Sequence, residues 1–521
     1  MLIAEGSAWP PPQNYYDTMR YRWESWSAWW SGDLHRLRTT APHTAPGGYW
    51  ARHAAKHGKG ETRQMHMPLA ADIARTSAEL IFGDSPRLDW GDDATAVTDA
   101  WETLADDIGW TNTLLEGAET AAALGGVYLH PLWDKNLSDR PILTMVRDDD
   151  AIPVFRFGRL AAVTFVTVLN DDPHNTLRWL EHHEPGQIRH ELWLGSAANV
   201  GRAVPLTDHP VTAGLAGEPI NTKAIRGNEL LVDYVPNDLP QPLVHTPHGR
   251  SDLQGLETDL DALDEVWDSW IRDIRLGKGR ILASAEMLEP VSTTGSVARQ
   301  FFGKLVGGGR EKAFDLDAEA FTPLPGMPMD DAGKPAPITV AQFALRVQEH
   351  ADTANELVDN IVSRAGYAPQ TFGRHVEGQL SGTAMSRRER RSNSTQGRKR
   401  QYWKPGARRA AETLMLVNAH IFSGPMPTGR PALEWPVDQA DPKEMAETIN
   451  LLAQAEAIST EIKVKMAHPE WEQKDVDEEV KRIKAEKATA PDPLTGGEPF
   501  GPPDPGQQPD PQQPPGSGEQ Q

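Results

Sequence analysis

Two segments of this chain repeat apolar residues at alternating intervals of three and four, and that pattern leaves few folds open. In the first, Leu253, Leu256, Leu260, Leu263, Trp267, Trp270 and Ile274 follow the spacing, which is the a/d seam of a heptad helix. Ser251 with Gln254 reads as a capping box and Gly277 as a stop. The spacing therefore predicts a helix over 251–276, about 39 Å long at ~1.5 Å per residue. Its other face carries Asp252, Glu257, Asp259, Asp261, Asp264, Glu265, Asp268 and Asp273 with few bases. In the second segment Val340, Phe343, Val347, His350, Ala354, Leu357 and Ile361 repeat the design. Thr339 and Gln342 form its capping box and Gly366 follows its end, giving a second helix over 339–365. Between them, residues 277–338 read as short strands and loops, including Gly307-Gly-Gly309 and Pro323-Leu-Pro-Gly-Met-Pro328. Two matched helices with a compact insert at one end make a stalk with a head.

The remaining segments read as a helix-rich α+β protein. Trp23, Trp26, Trp29 and Trp30 fall on one helix face, which docks either on its own domain or on a neighbouring subunit. Three helices are expected over 67–124. Short β-rich runs follow at 127–130, 142–146, 154–157 and 163–168, and a hairpin over 177–194 turns at Pro185-Gly186. A long helix is expected from Ser381 or Thr383 to Phe422, kinked at Pro405. A small helical unit over 441–487 opens on Asp441-Pro442. From 488 onward Pro, Gly and Gln dominate, and the segment is expected to be disordered.

Composition narrows the chemistry. The absence of Cys excludes a disulfide framework, Cys-ligated zinc and a Cys nucleophile. No stretch is apolar enough for a membrane span, and Met1-Leu-Ile-Ala-Glu does not start as a signal peptide, so a soluble cytosolic fold is expected. The net charge of −22 argues against a high-affinity DNA-binding domain. Seventeen Trp point to assembly contacts. No phosphate-binding or hydrolase motif occurs. Asp148-Asp149-Asp150 could bind Mg²⁺ but reads better as a solvated loop. His182, His183 and His190 lie on the hairpin, 182 and 183 on opposite strand faces, and read best as surface imidazoles. The Gly307 run reads as a flexible loop, and His350 as a pH switch or a tolerated seam residue. Arg387, Arg388, Arg390, Arg391, Arg398, Lys399 and Arg400 make a basic helix, which contacts phosphate or pairs with acidic surfaces of a neighbouring subunit.

The order of these parts resembles the portal proteins of tailed double-stranded-DNA bacteriophages, in the branch of Gram-positive siphophages. The resemblance rests on three segments: His66-Met-Pro-Leu-Ala-Ala-Asp-Ile-Ala-Arg-Thr-Ser-Ala-Glu-Leu-Ile-Phe-Gly-Asp-Ser-Pro86, Ser363-Arg-Ala-Gly-Tyr-Ala-Pro-Gln-Thr-Phe-Gly373 and Ser381-Gly-Thr-Ala-Met-Ser-Arg-Arg-Glu389. It implies a homo-oligomeric ring of about twelve subunits at the capsid vertex of the virion, assembled in the host cytoplasm. The ring would be a head–tail connector and DNA channel for genome packaging and ejection. Residues 1–250 and 383–440 would form the wing, 251–276 and 339–366 the stem, 277–338 the clip, 367–382 the tunnel-loop region and 441–487 the crown. The tunnel loop would present Arg374, His375, Glu377 and Gln379 to DNA. Partners would be the terminase large subunit, the head–tail adaptor, and the major capsid and scaffold proteins, with no cofactor, no metal and no enzymatic activity. Acidic stem faces would line the channel, so that DNA slides rather than binds. The alternatives are another coiled-coil capsid assembly or scaffold protein, or a metal-dependent hydrolase using Asp148–Asp150 and the hairpin histidines.

Overall fold

The computed structural model describes residues 3–11, 15–54, 64–91, 94–170, 172–276, 280–284, 321–324, 339–341, 345–374, 389–436, 442–455, 457–468, 471 and 473–489. The fold is mixed α+β and rich in helix, as expected. It divides into two units, residues 1–437 and 438–521.

The first unit opens with three helices, α1 (Tyr16–Ser31), α2 (Leu34–Thr44) and α3 (Tyr49–Ala54). Helices α4 (Leu69–Phe82), α5 (Thr95–Asp107) and α6 (Trp110–Leu124) follow where the spacing places them, with strand β1 (Arg87–Asp89) between the first two. Strands β2 (Gly126–Leu132) and β3 (Ile142–Arg147) then pair antiparallel. Next comes a meander, β4 (Ala151–Arg156), β5 (Arg159–Val168), β6 (Thr176–Glu184), β7 (Gln187–Ser196) and β8 (Asn199–Val204), in that spatial order, with β9 (Ile220–Asn221) also on β7. The hairpin at Pro185-Gly186 is confirmed, with Glu184 opposite Gln187. Short helices α7 (Pro210–Ala213) and α8 (Lys223–Arg226) lead to β10 (Asp233–Pro236), which completes a sheet of order β10-β2-β3.

Both seam helices form, and both start later than their capping boxes suggest. The first, α9, spans Glu257–Leu276. Gly255 sits at φ +81, a left-handed conformation that Gly adopts freely and that no helix interior accepts. The Ser251 hydroxyl caps nothing at Gln254: it donates to the Ala123 carbonyl (2.6 Å) and accepts from the Leu253 amide (3.0 Å). Leu253 and Leu256 thus belong to a buried turn ahead of the helix. The second helix, α10, spans Val347–Ala365. Thr339 and Val340 lie in strand β13 (Thr339–Ala341), which pairs antiparallel with β11 (Arg280–Ser284); β12 (Phe321–Leu324) pairs parallel with β11. A β-branched Thr-Val pair suits a strand better than a first helical turn. Phe343, Gly277 and the Gly307 run lie outside the described residues. Strands β11 and β12 fall within the insert, where short strands are expected, and β13 falls in the segment expected to open the second helix.

Helix α11 (Arg390–Phe422) runs unbroken through Pro405, which lies on its exposed side. Its predicted start at 381–383 lies outside the described residues. Gly406 is required by a close approach, since a Cβ there would meet Val235 Cγ2 at 2.6 Å. Around it Trp403, Ala407, Ala410, Ala411 and Leu414 pack with α4, α5, α6 and β2 into one core. Strand β14 (Ala432–Glu434) returns to pair with β1. The second unit holds α12 (Pro442–Gln454), α13 (Thr460–Ala467) and α14 (Gln473–Thr489), with Val464, Val476 and Val480 as its core. Residue 488, expected to begin the disordered tail, is still helical, and residues 490–521 lie outside the described residues.

Among the described residues of the basic segment, Lys399 is the most buried. Its ammonium lies 2.5 Å from Asp252, 2.7 Å from Ser77 and 3.0 Å from the Tyr367 hydroxyl. Burial pushes its pKa down, and Asp252 pulls it back up. Removing one partner of a buried pair strands the other charge. Lys399→Ala is expected to cost about 3–5 kcal/mol in urea unfolding, and the Lys399→Met/Asp252→Asn double variant to recover most of that loss.

Candidate functional site: the paired helices

Helices α9 and α10 pack side by side and antiparallel, with Asp273 meeting Arg346 and His350 at one end and Arg364 meeting Asp259 at the other. Leu260, Leu263, Ala354 and Ile361 are buried in one core cluster, and Trp267 and Leu357 pack partly buried against it. The pair has two unlike halves.

The half near Glu257 is enclosed by the N-terminal helices. Trp23, Trp26, Trp29 and Trp50 are buried in one cluster with the seam leucines. Of the two readings of the Trp face, docking on its own domain is the one the structure shows. The acids of α9 are what hold it there. Glu257 accepts from Trp26 Nε1 and Arg22, both at 3.0 Å. Asp261 accepts from the amides of Tyr49 and Trp50 (2.9 Å for Trp50). Asp264 accepts from Trp50 Nε1, His66 Nδ1 and the Met67 amide, each at 2.8 Å. Burial pushes Asp261 up from the usual carboxylate range, and the Trp50 and Tyr49 amides pull against it.

For these three of its eight acids, this corrects the expectation that the acidic face of the first helix lines a channel. Glu257, Asp261 and Asp264 are 3%, 3% and 0% exposed, so they face protein, not a lumen. A buried carboxylate persists only where donors replace its water. On α9 Glu265 stays exposed, and α10 carries an exposed acidic stripe of its own, Glu349, Asp352 and Glu356. Their spacing of three and four puts them on one helix face.

The half near Asp273 is not enclosed. Trp267 and Trp270 stack at 5.0 Å between ring centroids, and Trp270 stacks on His350 at 6.1 Å and 9°. Neither indole N–H finds a hydrogen-bond partner. Ile274, Leu345 and Val347 beside them are 43%, 46% and 46% exposed. His350 bonds Asp273 at 3.0 Å, and this bond with the Arg346 bond holds the Asp273 carboxyl below its usual range.

The other candidate residues scatter. Arg374 is held by Asp359 at 2.5 Å and by Asn355 on α10. His375, Glu377, Gln379, Arg387 and Arg388 lie outside the described residues. Arg390 and Arg391 are exposed. Arg398 pairs with Asp238 at 3.2 Å, Lys399 with Asp252, and Arg400 bonds the Leu80 carbonyl at 3.2 Å. The last three are thus tied within their own chain, because α11 is a core helix whose polar face meets α4 and the turn before α9.

Asp148 is not in a solvated loop: it is fully buried, 3.3 Å from His248 Nδ1 and from the Tyr234 hydroxyl. His182 and His183 are not surface imidazoles either, at 2% exposure each, though they do lie on opposite strand faces. His182 meets Thr164 and Glu191, while His183 meets Glu181 at 2.7 Å. Burial drags His183 down to about 4. Burial would raise Glu181, but His130 and His183 beside it hold its carboxyl well below the usual range.

The Trp26, Trp50 and His66 seat is missed by seam reasoning. It was visible as a second stripe, since Glu257, Asp261 and Asp264 are spaced by four and three. Asp264→Ala orphans the Trp50 indole and the Met67 amide, at about 1–3 kcal/mol for each buried group. Faster hydrogen exchange across residues 16–67, with α10 unchanged, is the expected outcome.

No protein-family model matches this chain, and no curated protein matches it. Among solved structures, the chain is similar to a component of the virion of a native gene transfer agent particle, at 12% identity and TM-score 0.40 over 89% of this chain and 96% of that one. It is similar at 12% identity and TM-score 0.41, with the same coverages, to one from the neck of the native particle computed with C12 symmetry. A third is from the neck of the empty particle computed with C6 symmetry, at 12% identity and TM-score 0.40 over 81% and 98%. Likeness at this level carries no conclusion about function.

Proposed function

We propose that this chain is a portal-type ring subunit whose paired helices form the wall of a DNA conduit. The observation that carries the proposal is the division of the helical pair. One half is locked to its own chain, and the other presents Ile274, Leu345 and Val347 at the surface beside the half-buried stack of Trp267 and Trp270. In a closed ring each subunit would cover that strip on the next, because rotation makes one patch meet a complementary one around the circle. The ordered sequence segments that resemble portal proteins support the same reading, and the three-stranded sheet between the helices is compatible with it.

In this reading α9 and α10 are the stem. The sheet of β11, β12 and β13 is the clip that meets the terminase and later the adaptor. Residues before 251 with α11 would make the wing, residues 367–382 the tunnel-loop region, and α12–α14 the crown. The Glu349, Asp352 and Glu356 stripe would face the lumen. A negative wall repels phosphate and lets the duplex slide, whereas a basic wall would grip it through counterion release. The chain itself would do no chemistry.

The test is negative-stain electron microscopy with light scattering of the purified protein. Closed rings with a mass near twelve chains are expected, the number that the portal resemblance implies. Trp267→Asp/Trp270→Asp is expected to abolish rings while helical circular dichroism is kept. Rings of wild-type form from that variant would sink the stem assignment, and a dimer or trimer at every concentration would point to a scaffold instead. Deleting residues 491–521 is expected to leave rings intact.

A further inference from the structure

Strand alternation puts residues i and i+2 on one face. It brings Glu181 and His183 of β6 together, and His130 of β2 meets them from the neighbouring sheet. His183 Nε2 lies 2.7 Å from Glu181 Oε1, and His130 Nε2 lies 3.0 Å from the same oxygen. The two imidazole planes stand at 89° with centroids 4.9 Å apart, so their nitrogens converge on the carboxylate from different directions. All three ligand atoms lie within 4.8 Å of one another. His130 and His183 are 6% and 2% exposed, and Phe165 packs on both rings.

One oxygen of Glu181 is shared by both rings. Thr144 Oγ1 donates to the His130 carbonyl at 3.4 Å and lies 3.2 Å from His130 Nδ1. That contact turns the Nε2 edge of His130 toward the Glu181 carboxylate. His130 Nε2 makes no hydrogen bond, and neither does His183 Nδ1. A bound cation would take the place of the protons between these atoms, with the carboxylate offsetting its charge. Two imidazoles and one carboxylate are a donor set that zinc-class ions take up, leaving further coordination positions free. A cavity of about 740 Å³, lined among others by His130, Glu181, Trp133, Trp179 and His190, reaches the cluster. Thr144 supplies the outer hydrogen bond that orients a ligating histidine.

We propose that His130, Glu181 and His183 bind a zinc-class divalent cation, with its remaining coordination position open to the adjoining cavity. The proposal stands independently of the ring assignment. Its test uses the full chain, dialysed against zinc, desalted and assayed by elemental mass spectrometry, with cobalt(II) as a spectroscopic substitute. The expected result is one retained metal per chain and the intense visible bands of four- or five-coordinate cobalt. His130→Gln, Glu181→Gln and His183→Gln should each lose the metal, while His182→Gln, on the opposite strand face, should keep it. No metal on the folded wild-type chain, or undiminished binding in all three ligand variants, overturns the proposal. Should the variants fail to fold, the wild-type cobalt spectrum decides, and the weak bands of an octahedral, loosely held ion overturn it.

Discussion

A carboxylate taken out of water costs several kcal/mol unless N–H donors surround it. Helix α9 buries three, and the architecture around it follows from where their donors come from. Most of the donors that satisfy Glu257, Asp261 and Asp264 are the indoles, amides, guanidinium and imidazole of residues 22–67, with the Gly255 amide as a local addition on Glu257. Those residues therefore close over one half of the helical pair. Each buried Trp removes on the order of 200 Å² from water, about 5 kcal/mol at ~25 cal/mol per Å². The carboxylates make that burial directional: the apolar area supplies the drive, and the acids fix which indole sits where. The same logic recurs one turn earlier, where Asp252 receives Lys399, the Tyr367 hydroxyl and Asn237. The turn ahead of α9 thus joins the helical pair to α11 through charge.

Much of the fold was legible because its signals are periodic. The seam spacing located both long helices, and Pro185-Gly186 located the hairpin. The errors are local and share a cause. Ser251 and Thr339 carry the residue types of a capping box, yet Ser251 bonds a carbonyl of α6 and Thr339 joins a strand. A capping box is a four-residue signal, and tertiary partners outweigh it. The acidic stripe was assigned to water because charged residues are rarely buried. Nothing local in Asp264 tells that Trp50, more than two hundred positions earlier, supplies its donor. His130, Glu181 and His183 escaped for the same reason. Their meeting depends on β2 facing β6, which no spacing within either strand encodes.

The helical pair emerges as a hybrid. Half is interior, with leucines and satisfied acids. Half has the makeup of an interface, with paired indoles, branched aliphatics and a His–Asp–Arg cluster at its rim. Paired aromatics with a charged border are typical of contact surfaces between subunits. The acidic stripe on α10 borders this region without using it, so contact and charge are separable features of one helix.

The seat of α1–α3 also sets an order of events during synthesis. Tyr49 and its acceptor Asp261 are separated by 212 residues. At about 5–20 residues per second, the ribosome adds the acceptor roughly 10–40 s after the donor. For that interval the Trp-rich helices of a nascent chain lack the surface they are built to cover. A chain that depends on such a late partner presents its most aromatic segment to chaperones first. Its yield in the cell is then governed as much by protection of that segment as by the stability of the finished fold.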